Sequence, residues 1–393
     1  MENKRKKTWV AFLLSSVLYL ITQPVIAEKP IALFMIDLGG ENYNATYNPQ
    51  DQCERKGPWF EGWYTRITDV DGKRSVAVIG ASYLPEGMSY YPGMKMPGYL
   101  AVLISEGDGD ITRVYEVFPQ STTFVQWEEP LFGNSYCMIP GDFEWSAENY
   151  GHITQDMIDI NIPGVLDISA ASFHNLIPWN SIIHGLGPEG LVQCLCLTPV
   201  HWYVFSIGSD TSYYRLSIHG DIDYEISSGM GYVHQEKNWG KAFPPSWIWA
   251  EGINHNNTSQ FALSGGKLEP GYYLSEAWLV GFRSPYVHWD FRPSIFGTVF
   301  ESVINACSGY FKLTARNHRR RIVIEATAPV ETFSPVSIPT VSGFEPDGAV
   351  ESFSATVEIS AYWLSLPGGE ILMDRRFFYN AGLEFGSGFM CED

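Results

Sequence analysis

Short runs of β-branched and aromatic residues, cut at close intervals by glycine-bearing turn signals, restrict this chain to an antiparallel β architecture. Arg74 to Leu84, Tyr99 to Ser105, Arg113 to Phe118, His201 to Ile207, Tyr213 to Ile218, Ile322 to Thr327 and Thr356 to Leu364 all read as strands. Asp71-Gly72, Gly107-Asp108-Gly109, Gly208-Ser209-Asp210 and Gly368-Gly369 fit hairpins or tight loops, where glycine takes positive φ without a steric penalty. Helical periodicity is weak, and Ile295 to Ala306 is the best short helical candidate. Many short strands in a long chain point to barrels or sandwiches, so an all-β fold with few short helices is expected.

The chain has 393 residues, more than one hydrophobic core normally serves, which predicts two β domains, over 28–225 and 226–393. Thirteen tryptophans, 22 tyrosines and 23 phenylalanines exceed what a plain sandwich needs. The interior of small antiparallel barrels is one place to put them, as core filler or as a binding surface.

Lys4, Arg5, Lys6 and Lys7 precede a largely apolar run from Trp9 to about Ile21, which ends near Val25-Ile26-Ala27. This is the pattern of a signal peptide over 1–27, and it implies secretion or delivery to a periplasm. An uncleaved anchor is the alternative. The formal charge of -19 argues against nucleic acid, which demands a basic footprint. His318-Arg319-Arg320-Arg321 is the one dense basic run beyond the leader, and it reads as a strand start or turn. Six cysteines (Cys53, Cys137, Cys194, Cys196, Cys307, Cys391) could pair in an oxidising compartment in fifteen ways, and spacing does not choose among them. Cys194-Leu195-Cys196 lacks the spacing of a zinc or redox site, so no metal is expected.

Three runs concentrate chemistry. From Tyr232 to Trp249 the chain sets His234, Glu236, Lys237, Asn238 and three indoles within eighteen residues. A period of two groups His234, Glu236 and Asn238 on one face, with Lys237 and Trp239 opposite, and puts Trp247 and Trp249 together. In Gly57 to Tyr64 the same period places Trp59, Glu61 and Trp63 on one face and Phe60 and Tyr64 on the other. Glu61 between two indoles is a candidate general acid, its ionised form disfavoured by desolvation. It could equally be bonded to an arginine or to backbone donors, closing a barrel end that Trp63 plugs. In Thr198 to Tyr203, His201 and Tyr203 share a face and could donate protons or orient a hydroxyl.

Phe60-Glu61-Gly62-Trp63-Tyr64, Pro199-Val200-His201-Trp202, and Glu236-Lys237-Asn238-Trp239-Gly240 followed by Phe243-Pro244 and Trp247-Ile248-Trp249 resemble, in order and spacing, the tocopherol cyclase family. Phe311 to Asn317, running into Ile322 to Thr327, is similar to that family's C-terminal strands. The resemblance implies two lipocalin-like (calycin) antiparallel β-barrel domains, related to carotenoid hydratase and AttH-type proteins. It also implies ring closure of a prenylated hydroquinone to a chromanol. The alkene nearest the ring is protonated, the phenolic oxygen attacks the tertiary cation, and no cofactor is used.

Such chemistry needs an acid strong enough to protonate an alkene, aromatic faces for a cation and a dry cavity. Glu61 or Glu236 could supply the acid. Trp63, Trp239, Trp247 or Trp249 could face the cation, His201, Tyr64 or Asn238 could orient the hydroxyl, and Tyr203 and Phe243 complete the expected binding surface. Lys237 and Glu236 point apart on a strand, yet in a turn they could form a structural ion pair. The expected partner is an apolar small molecule, a prenylated quinol or lipid, with peripheral membrane contact for its entry. A non-catalytic secreted calycin that binds an isoprenoid is the rival reading, and a barrel filled by its own side chains is the third.

Overall fold

The computed structural model describes residues 55–131, 137–180, 183, 185–194, 199–219, 224–254, 256–268, 276–365 and 368–391. The expected leader, Cys53 and Cys196 lie outside them. Strands fill the rest almost completely, and the helices are short 3-10 turns such as Ala306–Ser308 and Val330–Thr332.

The first sheet contains β1 (Trp59–Asp69), β2 (Ser75–Leu84), β3 (Gly98–Ser105), β4 (Arg113–Val117), β5 (Thr122–Pro130) and β6 (Met138–Ala147). It continues with β7 (Gly151–Thr154), β8 (Met157–Ile162), β9 (Leu166–His174), β10 (Val200–Ile218) and β11 (Tyr224–Gly240). Their spatial order is β4-β3-β2-β1-β11-β10-β9-β8-β7-β6-β5, so β1 and β11, though distant in sequence, are antiparallel neighbours.

The second sheet begins with β12 (Ser246–Ile253), β13 (Gln260–Lys267), β14 (Glu276–Arg283), β15 (His288–Phe291) and β16 (Val299–Asn305). β17 (Tyr310–Arg316), β18 (Arg320–Thr327), β19 (Ser334–Thr340), β20 (Gly343–Ser365) and β21 (Gly369–Ser387) complete it. The order is β15-β14-β13-β12-β21-β20-β18-β17-β16, with β19 paired to β20. These two large curled antiparallel sheets are the calycin-like architecture that the resemblance implies.

Three expectations change. Ile295 to Ala306 is not a helix. Val299–Asn305 is strand β16, in which Phe300 and Ile304 pack on the core while Val299 and Val303 face solvent. Pairing with β17 and a β-branched composition outweigh a weak helical period. Gly208-Ser209-Asp210 is not a hairpin, because β10 runs through it and absorbs the irregularity as register shifts against β11. Gly208 serves close packing, since a Cβ there would stand 2.8 Å from Asn257 Oδ1. The change of sheet comes after Gly240 and not at 225/226, because β11 completes the first sheet beside β1.

Side-chain alternation sorts the apolar residues into separate cores. Trp63, Ile67, Val78, Val102, Trp145, Val233 and Trp239 fill the concave side of the first sheet. Ile248, Ala250, Leu263, Trp278, Phe311 and Leu383 do the same for the second. A third cluster, with Tyr64, Trp179, Trp202, Trp247, Trp249 and Phe353, joins the opposite faces of the two sheets. Arg66 spans the same layer, ion-paired with Glu251 and donating to the Asn380 carbonyl at 2.6 Å. Disulfides join Cys137 to Cys194 and Cys307 to Cys391.

Candidate active site

The period of two decides what each motif residue meets. On β1, Trp59, Glu61 and Trp63 turn toward the first core, whereas Phe60, Gly62 and Tyr64 turn toward the second sheet. Lys237 and Trp239 of β11 follow the first set, and Glu236 and Asn238 the second. On β12, Trp247 and Trp249 face the first sheet, and Ile248 and Ala250 enter the second core.

Between the two sheets lies a cavity of about 510 Å³. Phe60, Tyr64, Tyr99, Trp202, Phe243, Trp247, Trp249 and Phe344 give it an aromatic wall. Of the residues singled out in the sequence, Tyr64, His201, Glu236, Asn238, Phe243, Trp247 and Trp249 line it, and Trp63 borders it although its ring stacks on Phe143 in the first core. Glu61, Tyr203 and Trp239 are not among the lining residues.

The two most informative lining groups were not singled out. Glu351 of β20 and Glu384 of β21 are direct cross-strand partners, in one row with Trp249 of β12. Side chains directly opposite across antiparallel strands are close neighbours, so two carboxylates there repel unless a proton separates them. Glu351 is 1% exposed. Its Oε1 accepts a hydrogen bond from the Tyr64 hydroxyl at 3.2 Å, and its Oε2 has no hydrogen-bond partner among the described residues. Burial first, then the Glu384 charge, push the Glu351 pKa well above the carboxylate range against the pull of Arg66. Burial likewise pushes Glu384 up to about 7, although the Trp247 indole N–H bonded to it opposes the rise. Burial, and after it Glu351, keep Tyr64 a neutral phenol, able to donate. With Oε1 taken, the acid proton of Glu351 belongs on Oε2.

A pH dependence follows. A glutamate whose folded pKa is raised stabilises the fold fully below its unfolded value, near 4.5, and that contribution disappears as pH rises through the folded value. For Glu384 the window ends near pH 7. Thermal melts should therefore show stability declining between about pH 4.5 and 7, with a shallower decline in Glu384→Gln.

Glycine makes room for the two indoles. A Cβ on Gly386 would sit 2.0 Å from Trp247 Cε2, and one on Gly382 would sit 2.7 Å from Trp249 Cζ3. Gly386→Ala should force Trp247 off Glu384 and cost about 1–3 kcal/mol, as overpacking does, read by denaturant unfolding.

Glu236 is more heavily engaged than Glu351. Trp249 Nε1 donates to its Oε2 at 3.0 Å, Asn238 Nδ2 donates to Oε1 at 3.4 Å, and His234 Nε2 lies 2.9 Å from Oε2. Burial pulls the His234 pKa down, but Glu236 and Glu251 together hold it above the ordinary value. Lys237 does not pair with Glu236, because the strand points them apart.

Glu61 corrects the expectation of a raised acid. Arg55 Nε lies 2.9 Å from it, Lys237 is ion-paired with it, and Trp59 Nε1 donates to it at 3.2 Å. Burial alone would raise its pKa, yet Arg55 and Lys237 bring it below the usual value. Lys237 also sits over the Trp63 and Trp239 rings at 5.1 and 5.0 Å. Tyr203 packs on Phe205 in that same core. His201 stacks on Trp239, and its Nδ1 lies 2.9 Å from Oε2 of Glu189, whose Oε1 accepts the Trp202 backbone N–H at 2.7 Å. Glu189 was not foreseen either, as it lies in a glycine-rich segment with no strand signal.

Residues 207–387 match the family model described as tocopherol cyclase-like. That span contains the Glu236 to Trp249 motif and both β20 and β21. No curated protein matches the chain. Among solved structures, CghA in complex with Sch210972 is similar over 84% of this chain and 88% of that one, with 10% identity and a TM-score of 0.51. An AttH-like structure from Nitrosomonas europaea covers 94% and 99% at 11% identity and a TM-score of 0.43. Kievitone hydratase from Nectria haematococca covers 90% and 95% at 8% identity and a TM-score of 0.40. The resemblance to the tocopherol cyclase family therefore holds over residues 207–387, on an all-β, calycin-like fold.

Proposed function

We propose that the chain is an acid-catalysed cyclase that closes a chromanol ring on a prenylated hydroquinone held between the two sheets. The observation that carries this reading is the Glu351–Glu384 pair, a protonated carboxyl with an open oxygen in the wall of an aromatic cavity. Glu351 Oε2 delivers its proton to the alkene carbon that leaves a tertiary cation. The faces of Trp247, Trp249 and Phe243 stabilise that cation. The phenolic oxygen forms the C–O bond and loses its proton to the carboxylate pair, which restores the acid. One C–H and one C–O bond replace an O–H bond and a π bond, so the reaction is a redox-neutral isomerisation. Glu236 and Asn238 orient the hydroxyl, and His201, fixed by Glu189, limits the cavity at β10. The leader and the two disulfides support secretion or a periplasmic location.

The test is incubation of the purified protein with a panel of prenylated hydroquinones, followed by separation of isomeric products. Ring-closed product is expected. Tryptophan quenching by the same compounds without any product would make the protein a carrier and end the cyclase reading.

A further inference from the structure

The far end of the second sheet breaks the alternation that governs the rest of the molecule. On β21, Ile371, Leu372 and Met373 are consecutive and are 55%, 51% and 41% exposed, so both faces of this strand are open there. Three adjacent exposed apolar residues are a liability in a soluble chain unless something uses them. Opposite them on β20 stand Trp363 and Tyr362, paired with Ile371 and Leu372.

The same end is basic, in a chain whose formal charge is -19. The Leu364 backbone N–H donates to the Arg319 carbonyl at 2.7 Å, which sets the β17–β18 turn against the arm. Arg321 lies over the Tyr362 ring at 4.3 Å and pairs with Glu370. The other acids nearby are already matched, Glu358 with Arg375 and Asp374 with Arg376. Arg316 and Arg319 are exposed and have no carboxylate partner among the described residues, whereas Arg320 is half-buried over the Trp289 ring at 5.5 Å.

We propose that this hairpin arm and its arginine collar dock the protein on an anionic lipid bilayer. A flat negative surface receives the apolar arm and the collar at once. Each arginine near such a surface adds to the attraction, and the acidic remainder of the chain is held off. A second copy of this chain fits less well, because two bodies of the same strong negative charge repel.

The experiment is sedimentation of the full-length protein with vesicles of phosphatidylcholine alone, or of phosphatidylcholine with a quarter phosphatidylglycerol, at low and physiological salt. Binding is expected to be at least about fivefold stronger on the anionic vesicles and to weaken with salt. Arg316→Gln with Arg319→Gln, and separately Ile371→Ser with Leu372→Ser, should each lower it about tenfold. All four positions are at the surface, and unchanged melting confirms that the variants fold. Equal binding to both vesicle types, no binding, or variants that bind like wild type would overturn the proposal. So would a lipid-free dimer that the Ile371→Ser, Leu372→Ser variant dissociates. None of these outcomes depends on the cyclase reading, because no substrate is present.

Discussion

Glu351→Gln should lower turnover of a prenylated hydroquinone by about a thousandfold, within the roughly 10²–10⁴ that a positioned general acid contributes, while leaving the fold intact. The amide keeps the shape of the carboxyl and still accepts the Tyr64 hydroxyl. It cannot, however, release a proton to an alkene. Removing one of two opposed carboxyls also relieves their mutual repulsion, so the melting temperature should hold or rise. The companion variant discriminates further. Because the Glu384 charge helps to raise Glu351, Glu384→Gln should move the alkaline limb of the activity profile to lower pH, with a smaller loss at its optimum. A merely structural Glu351 would give the opposite pattern, with lost stability and unchanged turnover per folded molecule.

Glu61→Gln should have the largest effect on stability, about 3–5 kcal/mol, as expected when one member of a buried ionic cluster is removed. Lys237 is fully buried and ion-paired with this carboxylate, and Arg55, nearly buried, is shared between Glu61 and Glu128. Lys237→Met should cost less, because Glu61 then keeps Arg55 and the Trp59 indole, and a methionine can fill the space between Trp63 and Trp239. Turnover per folded molecule should survive both changes, measured by denaturant unfolding beside activity at a temperature where each variant is native. The sign of the acid response also follows. Glu61 has a lowered pKa, so its contribution is present above about pH 4.5 and is lost as pH falls through the folded value.

The contrast between Glu61 and Glu351 shows what the sequence could disclose. Alternation read on Trp59 to Tyr64 and on His234 to Trp239 separates the two faces of each strand correctly, because the period is fixed by backbone geometry. Which face meets a cavity depends on where the second sheet lies, and that is set by contacts such as Arg66 with Glu251, 185 positions away. Glu61 therefore looked like an acid between indoles, while its arginine and lysine came from elsewhere in the fold. Glu351 gave the converse case. It stands in Ala349-Val350-Glu351-Ser352, an ordinary strand stretch, and only pairing with Glu384 makes it chemically unusual. The aromatic motif from Phe243 to Trp249 was legible as a site because indoles and prolines at that density are informative by themselves. Ile295 to Ala306 was misread because a single edge strand carries too few residues for its period to stand out.

The most direct measurement is turnover of a prenylated hydroquinone in D₂O, with the product examined by mass and NMR. Delivery of an exchangeable proton from Glu351 predicts an isomeric chromanol carrying one carbon-bound deuterium next to the new C–O bond, formed by wild type and not by Glu351→Gln. Absence of ring-closed product, a product without carbon-bound deuterium, or equal labelled product from Glu351→Gln would contradict it.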